Sequence, residues 1–323
     1  MRPGAAFALM AAAASAASPL FAQPTLATHA DSGWVPIFDG KDFGNAFYVY
    51  KGGYVPIASQ TTFKIENGML HAGGPYALLV TEKEYGFYRL RVEYRFGEQV
   101  GSGANAGMMI LVDNAGARAT GEPLRPRSIE INCRRDTGYP WTLWASTGLG
   151  PRMQTTVAKG SAKFLARAEG GVDYVVDPSG NRVLESSYAN PELAAGQWNR
   201  GEAEVYGDSG VFTLNGRLRT ASWKWTAKDA RTARGGIGVQ SEGSDIWYRA
   251  WEIQELDSAT RQPVHARTGC TDRGKPGYDP RAVVSEGSCA ASGVVRVGSS
   301  ARIPQSLRAG RDLDGRIRHQ AAR

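Results

Sequence analysis

The segment "SIEIN" (128–132) holds the best candidate for acid–base chemistry in this chain. Side chains of an extended strand point alternately to opposite faces, so Ile129 and Ile131 share one face while Glu130 and Asn132 share the other. If the two isoleucines face a core, Glu130 and Asn132 face either bulk water or the floor of a groove. A carboxylate in a groove can remove a proton from a bound molecule, whereas one on a wetted strand has no such role. The pattern alone leaves both interpretations open.

Aromatic and amide side chains elsewhere in the chain favour the groove. Trp141 and Trp144 lie in one predicted strand, Gln240 ends another, and residues 247–251 include two tryptophans and a tyrosine. Aromatic rings stack on sugar rings, and amides hydrogen-bond to sugar hydroxyls. This combination, with one or two charged groups, suits a neutral, polyhydroxylated ligand.

Other kinds of catalytic site find less support in the sequence. Of the four histidines, only His71 lies in a predicted strand, and no serine or cysteine nucleophile motif accompanies it. The glycine-rich segment "GSGANAG" (101–107) lacks the strand-to-helix context of a phosphate-binding loop. Cys133 shares the face of Ile129 and Ile131, which predicts a small buried residue rather than a nucleophile or a zinc ligand.

The elements that must position these residues are predicted to be strands. In "GFYRLRVEYRF" (86–96), hydrophobic residues at even positions from Tyr88 to Phe96 alternate with charged residues at odd positions from Arg89 to Arg95, which describes a strand with one buried face. Asn67-Gly68 and Asn215-Gly216 are strong signals for tight turns between strands. Further short strands are predicted at 107–112, 128–133, 141–146, 202–207, 210–216 and 235–240.

The many short strands predict an all-β fold, an antiparallel jelly-roll sandwich of two sheets. No segment has the pattern of a long amphipathic helix. Residues 97–107 and 113–127 form long loops rich in Gly, Ala and Arg, and loops of this kind often border a ligand surface.

The N-terminus has the pattern of a cleaved signal peptide. Residues 1–22 contain one early arginine, a short apolar run and a small residue, Ala22, before Gln23. We therefore expect cleavage after Ala22, a linker at 23–32 and a periplasmic or secreted protein. An uncleaved N-terminal anchor is the alternative, and no later stretch has the length of a transmembrane segment.

The C-terminal tail (258–323) carries the basic charge. It contains 12 Lys and Arg against 5 Asp and Glu, a surplus that accounts for the whole net charge of +7. The remaining chain, with its sandwich at 33–257, is neutral, so nucleic-acid binding is not expected. The tail has no hydrophobic period and is predicted to be disordered. Within it, Cys270 and Cys289 could form a disulfide or could be incidental.

Six segments together resemble the 3-keto-disaccharide hydrolase family, also called 3-keto-glucoside lyase/hydratase. The resemblance runs in order over residues 33–256. The matching segments are "GWVPIFDGKDFGNAF", "FKIENGML", "LLVTEKEYGFYRLRVEYRF", "GANAGMMI", "SIEIN" and "GGIGVQSEGSDIWYRAWEIQEL".

The resemblance implies a concanavalin A-like sandwich that cleaves glycosides already oxidised at C3 of the sugar. A keto group at C3 acidifies the proton on C2, so a base can remove that proton and expel the C1 substituent, after which water adds. The resemblance implies Glu130 as this base, or as a substrate-positioning carboxylate, and Arg249 or Lys83 as the cation that stabilises negative charge. The expected substrate-binding residues are Lys83, Asn105, Asn132, Trp144 and Gln240.

The sequence departs from the family pattern near Gln240. Glu242 stands where the family usually has histidine, and Asn132 stands where it often has glutamine. Glu242 could replace the imidazole as acid or base, or could bind a cation, so it completes the predicted catalytic set. The sequence predicts no cofactor with certainty, and it leaves open whether the protein binds a divalent metal. Oligomeric state is not predicted.

The same residues also permit interpretations in which they have no catalytic role. Lys83 could be an ordinary exposed turn residue. Arg249 shares strand parity with Trp247, Trp251 and Ile253, so it could be a buried arginine in a structural ion pair, while Trp251 and Ile253 serve the core. For the whole protein, the alternatives are a non-catalytic, lectin-like sugar-binding module, or a scaffold of the cell envelope whose basic tail contacts anionic polymer.

Overall fold

A computed structural model of the chain describes residues 33–101, 103–119, 125–135, 141–145, 150–227, 230–231, 233–257, 268–270 and 284–285. The helices in these ranges are α1 (Asn114–Arg118) and two 3-10 turns, Ile57–Ser59 and Arg167–Glu169. The strands, in chain order, are β1 (Val35–Pro36), β2 (Phe47–Tyr50), β3 (Tyr54–Pro56), β4 (Phe63–Glu66), β5 (Met69–Ala72), β6 (Ala77–Thr81), β7 (Phe87–Phe96), β8 (Gly107–Val112), β9 (Ile129–Asn132), β10 (Thr142–Ala145), β11 (Arg152–Val157), β12 (Lys163–Phe164), β13 (Val172–Val176), β14 (Val183–Ser186), β15 (Asn199–Tyr206), β16 (Gly210–Leu214), β17 (Arg217–Ala227), β18 (Ala230–Arg231), β19 (Gly236–Ser241), β20 (Ile246–Glu255), β21 (Thr268–Gly269) and β22 (Val284–Ser285).

Eight strands form the sheet that carries Glu130, which we call the front sheet. Their order is β3–β2–β6–β19–β8–β9–β10–β14, and every neighbouring pair is antiparallel. Strand β8 has the predicted bounds 107–112, and β9, β10 and β19 lie within one residue of their predicted ends. This sheet therefore places β19, β8 and β9, which come from three separate segments of the sequence, side by side.

A second sheet packs against the front sheet, and we call it the back sheet. Its order is β4–β5–β20–β7–β15–β16–β17, with β1 alongside β20, and all of these pairs are antiparallel. Strand β17 continues into an arm with β11 and β13. The two facing antiparallel sheets confirm the predicted all-β jelly-roll sandwich.

The hydrophobic core lies between the two sheets. The even-numbered residues of β7 from Tyr88 to Phe96 are all buried there, as their alternation predicts, and Ile129 and Ile131 of β9 meet them from the front sheet. Cys133 is also buried in this core as a free thiol, and burial raises the pKa of its sulfur. The prediction that Cys133 is a packing residue is confirmed.

The two predicted Asn-Gly turns are present. Asn67 and Gly68 have φ values of 53° and 73°, and Asn215 and Gly216 have 48° and 72°. Two successive residues in the left-handed region are what a two-residue hairpin loop requires. These turns join β4 to β5 and β16 to β17, so local turn chemistry sets the register of both hairpins.

Strand β20 is interrupted by a bulge that reverses its alternation. Its pairing with β7 shifts register between Arg249 and Glu252, and Ala250 adopts a φ of 45°. Trp247 and Arg249 precede the shift and lie on the outer face, whereas Trp251 is fully buried in the core. The prediction that Arg249 shares a face with Trp251 and Ile253 is therefore wrong, because uniform alternation was assumed. The prediction that Trp251 and Ile253 serve the core is confirmed.

The predicted segments at both ends of the chain lie mainly outside the described residues. These are the signal peptide (1–22), the linker (23–32) and most of the tail (258–323). Cys270 is disulfide-bonded, and Cys289, one possible partner considered from the sequence, is not among the described residues. Across the described ranges, no helix has the length and hydrophobicity needed to span a membrane.

Candidate active site

Five of the predicted site residues lie together on the outer face of the front sheet. With one arginine from a loop they form a group that we call the polar cluster: Asn105, Arg125, Glu130, Asn132, Gln240 and Glu242. Glu130 and Asn132 project from β9 opposite to the core-facing Ile129 and Ile131, as the alternation predicts. Both are buried, so the interpretation of a solvated strand face is wrong.

Glu130 is a carboxyl group in a nearly dry environment. The residue is 6% exposed, and burial raises the pKa of its carboxyl to about 7, against an opposing hydrogen bond from Asn132. Asn132 Nδ2 donates to Glu130 Oε1 at 2.8 Å, and Arg125 Nη1 lies 3.4 Å from Oε2. The Glu242 charge adds to the rise, and Arg125 and Arg182 oppose it. A carboxyl with this pKa can both accept and return a proton near neutral pH.

Glu242 is held as a hydrogen-bond acceptor on both oxygens. Arg125 Nη2 donates to Oε1 at 2.7 Å, and Asn105 Nδ2 donates to Oε2 at 2.6 Å. The Asn105 backbone N–H donates in turn to Ser244 Oγ at 2.8 Å, which fixes the loop that precedes β8. Glu242 therefore replaces the usual histidine with a fixed negative charge, and that charge orients Arg125 between two carboxyl groups.

Gln240 and Glu130 approach one another across Gly107. The register Val239 to Met108 places Gln240 beside Gly107, while Asn132 lies on the other side of Gly107. A Cβ at position 107 would lie 3.1 Å from Gln240 Oε1 and 3.2 Å from Glu130 Oε1. The backbone at Gly107 is not in the left-handed region, so glycine serves here by leaving room for the two polar groups.

Arg125 and Tyr76 belong to the site although the sequence did not single them out. The Arg125 guanidinium lies 4.9 Å from the centre of the Tyr76 ring, in addition to its contacts with both carboxyl groups. Burial raises the pKa of Tyr76, so its hydroxyl stays protonated. That hydroxyl is buried and has no hydrogen-bond partner among the described residues. The only sequence signal was the arginine content of loop 113–127, which does not identify one arginine.

Trp144 is the predicted aromatic residue that stays beside Glu130. It lies opposite Glu130 in the β9–β10 pairing, is partly exposed, and has the Arg182 guanidinium 4.9 Å from its ring centre. Trp141 is instead fully buried and stacks on Tyr94 in the core at 5.8 Å. Trp141 shares the odd-numbered parity of Leu143 and Ala145, which also lie in the core, so it faces away from Trp144.

The aromatic run at 247–251 does not line the front sheet. Trp247 stacks on His71 at 4.3 Å on the outer face of the back sheet, and His71 is held there by Asp245 at 2.6 Å. His71 therefore lies apart from the polar cluster, among side chains of the back sheet.

Lys83 and Arg249 also lie apart from the polar cluster. Gln240 pairs with Leu78 near the start of β6, whereas Lys83 lies beyond the other end of that strand. The Lys83 Nζ lies 2.5 Å from Glu255 Oε1. Arg249 Nε donates to Glu93 at 2.7 Å on the back sheet, with its guanidinium over the Trp198 ring. The cation that the structure places beside Glu130 is Arg125.

A metal site has no support in the described ranges. No group of three His, Cys, Asp or Glu side chains there is close enough to hold a metal ion. The expectation of a divalent metal stays an open prediction, and the polar cluster offers amides and one arginine beside its two carboxyl groups.

Comparison with solved structures gives weak overall similarity to carbohydrate-related proteins. A proposed glycosyl hydrolase from Parabacteroides distasonis ATCC 8503 is 18% identical, with 70% of this chain and 94% of that chain covered and a TM-score of 0.43. The carbohydrate-binding module CBM66 from Bacillus subtilis is 10% identical, with 69% and 96% covered and a TM-score of 0.37. A search of curated proteins found no match.

The sequence of residues 33–254 matches the family described as the 3-keto-alpha-glucoside-1,2-lyase-like domain. The match begins just before β1 and ends within β20, so it covers both sheets of the sandwich and every member of the polar cluster. On this match, the chain belongs to the 3-keto-alpha-glucoside-1,2-lyase-like domain family.

Proposed function

We propose that this protein cleaves glycosides whose sugar carries a keto group at C3, by eliminating the C1 substituent and then adding water. Family membership supports a carbohydrate-active role. The observation that carries the specific reaction is Glu130, a buried carboxyl with a pKa of about 7 held beside a guanidinium. A base and a fixed positive charge in one dry site are what removal of a proton next to a carbonyl requires.

The first step is proton transfer from C2 to Glu130. The electrons of the C2–H bond form a C2=C3 double bond, and the carbonyl oxygen at C3 takes the negative charge. Arg125 can stabilise this oxygen because Glu242 and the Tyr76 ring hold its guanidinium at the edge of Glu130.

The second step expels the substituent on C1. The enolate electrons return to form the C3 carbonyl, a C1=C2 double bond forms, and the C1–O bond breaks. The departing oxygen needs a proton, and Glu130 carries the one taken from C2. Addition of water across C1=C2 reverses these proton movements, so the net reaction is hydrolysis.

Glu242 is assigned a positioning role in this scheme. Both of its oxygens accept hydrogen bonds, from Arg125 and Asn105, so it is engaged with these two side chains. Its charge holds the Arg125 guanidinium, which is the group that touches the substrate. Asn105 and Asn132 complete the chain of hydrogen bonds from Glu242 to Glu130.

The test is release of nitrophenol from a 4-nitrophenyl glucoside oxidised at C3, corrected for its spontaneous elimination. We expect the wild-type protein to release nitrophenol and the Glu130→Gln variant to be slower by about 100-fold or more, because the base is lost. Glu252→Gln, which removes a carboxylate from the outer face of the back sheet, is the matched control and should leave the rate unchanged.

Two outcomes would count against this proposal. A Glu130→Gln variant with an undiminished rate would exclude Glu130 as the base. A wild-type protein that binds oligosaccharides but releases no aglycone from oxidised glycosides would support the lectin-like alternative instead.

We also propose that the protein acts outside the cytoplasm after removal of residues 1–22. The support is the composition of the N-terminus, with its short apolar run ending at Ala22. The full chain, expressed in a bacterium with a periplasm, should be recovered from that compartment with Gln23 as its first residue. Recovery of a chain that still begins at Met1 would contradict cleavage.

A further inference from the structure

Gln240 has a side chain whose hydrogen bonds are not made within the described protein. The residue is fully buried, and neither its Nε2 nor its Oε1 has a partner among the described residues. Its backbone carbonyl, by contrast, accepts a hydrogen bond from the Tyr248 hydroxyl at 2.9 Å. Buried amides are almost always hydrogen-bonded, because leaving them unpaired destabilises the fold. An amide left unpaired on both atoms therefore points to a ligand that completes it.

The amide lies beside the carboxyl group to which we assign the proton transfer. Gln240 Oε1 and Glu130 Oε1 lie 3.1 Å and 3.2 Å from the position that a Cβ at residue 107 would occupy. The two side chains reach this place from β19 and β9, on opposite sides of β8. A ligand that meets the Gln240 amide therefore also lies against Glu130.

The chemistry of an amide limits what the ligand can present. Nε2–H donates and Oε1 accepts, and the two atoms are fixed side by side in one plane. The complement is an acceptor next to a donor on adjacent atoms of the ligand. A sugar carbonyl with a hydroxyl on the neighbouring carbon has this pattern, with the carbonyl oxygen as the acceptor and the hydroxyl as the donor.

We infer that Gln240 recognises the oxidised part of the substrate: Nε2 donates to the keto oxygen, and Oε1 accepts from the hydroxyl on the adjacent carbon. This inference rests on the proposed function and adds the group that distinguishes an oxidised sugar from its parent. When the C2 proton leaves, the keto oxygen gains negative charge and the hydrogen bond from Nε2 becomes stronger. Gln240 and Arg125 then both stabilise this oxygen.

The test uses two ligands that cannot lose a C1 substituent, 1,5-anhydroglucitol and its derivative oxidised at C3. Calorimetry gives the dissociation constant of each for the wild type and for Gln240→Glu, a change that keeps the shape and removes the donor. We expect the variant to bind the oxidised ligand about 10- to 100-fold more weakly. Binding of the parent ligand should change much less, because its C3 hydroxyl can donate to the new carboxylate.

A second variant covers the case in which Gln240→Glu fails to fold. Gln240→Met removes both polar atoms at nearly constant length, so it should unfold at the wild-type temperature or above, because an unpaired buried amide is gone. It should nevertheless bind the oxidised ligand at least 10-fold more weakly. Gln254→Glu, a change at a half-buried position on β20 of the back sheet, is the matched control and should leave both dissociation constants unchanged.

The results separate this inference from the proposed function. If Gln240→Glu weakens both ligands equally, or if Gln240→Met keeps wild-type affinity for the oxidised ligand, the inference is overturned while nitrophenol release by the wild type can still stand. If the wild type binds neither ligand and releases no nitrophenol, the proposed function fails with it.

Discussion

At the scale of single residues, the proton affinity of Glu130 is set by opposing forces. Burial disfavours its negative form, and the nearby Glu242 charge adds to this effect. The Asn132 amide and the Arg125 guanidinium favour the negative form, but the pKa still stands at about 7 instead of the usual 4.5. The carboxyl is therefore poised where a proton can move in either direction near neutral pH.

This pKa predicts the pH dependence of the reaction. A base must be deprotonated, so kcat/KM should rise about tenfold per pH unit below 7 and level off above it. The measurement is a pH profile of nitrophenol release between pH 5 and pH 9, with the spontaneous rate subtracted at every point. A profile that is already nearly flat from pH 5 upward would show that a more exposed carboxylate acts as the base.

The same pKa has a consequence for folding. Because the folded pKa lies above the unfolded value, the folded state binds the extra proton, and stability falls as pH rises from about 4.5 to 7. The wild type should therefore lose stability relative to Glu130→Gln, which stays neutral, by on the order of 3 kcal/mol across this range. Urea unfolding of both proteins at pH 5 and pH 8 provides the comparison.

The residues of the candidate site were predicted less completely from the sequence than the strands were. Glu130, Asn132 and Gln240 could be found because strand alternation and family motifs both mark them. Arg125 and Tyr76 come from segments with no periodic pattern. Arg125 contacts the Tyr76 ring, and it also contacts Glu242, which lies more than 100 positions away in the sequence. No local rule links such partners, so the cation was sought at Lys83 and Arg249 instead.

At the scale of elements, alternation predicted strands well until the backbone left the regular extended conformation. The even-numbered positions of β7 are buried throughout, and β8 has its predicted bounds. The left-handed residues Trp141 and Ala250 were not predicted, because neither is glycine or asparagine. The bulge at Ala250 brings Trp251 into the core against simple alternation, whereas Trp141 lies in the core with Leu143 and Ala145, as alternation from Trp144 gives.

The packing of Trp141 leads to a prediction about β15. A Cβ added at Gly201 would lie 1.9 Å from the indole ring of Trp141, which is fully buried against Tyr94. Gly201→Ala should therefore destabilise the protein by about 1–3 kcal/mol, because the ring has to move within a filled core. The midpoint of urea unfolding measures this change.

Gly180→Ala is the matched control for that substitution. A Cβ there would meet no atom within 4 Å, and the backbone is not left-handed, so stability should change by no more than about 0.5 kcal/mol. Equal effects of the two substitutions would show that loss of glycine flexibility, not contact with Trp141, determines the outcome.

At the scale of the whole molecule, the sandwich separates two outer faces with different contents. The front sheet carries the polar cluster, with hydrogen bonds that continue from Glu242 to Glu130. The back sheet carries several ion pairs and arginine–ring contacts, such as those of Arg249 with Glu93 and Trp198. The sequence alone predicted two sheets with a core between them, but the sheet to which each charged residue belongs required the register of all strands.

The position of Arg125 between two acidic groups has a consequence for the energy of the proposed reaction. Before proton transfer, the negative charge near the guanidinium resides on Glu130, and afterwards it resides on the sugar oxygen, while Glu242 keeps its own charge throughout. The net charge around Arg125 is therefore the same in reactant and intermediate. A displacement of charge around a stationary counter-ion requires little reorientation of surrounding dipoles, so the protein need not rearrange while the proton moves.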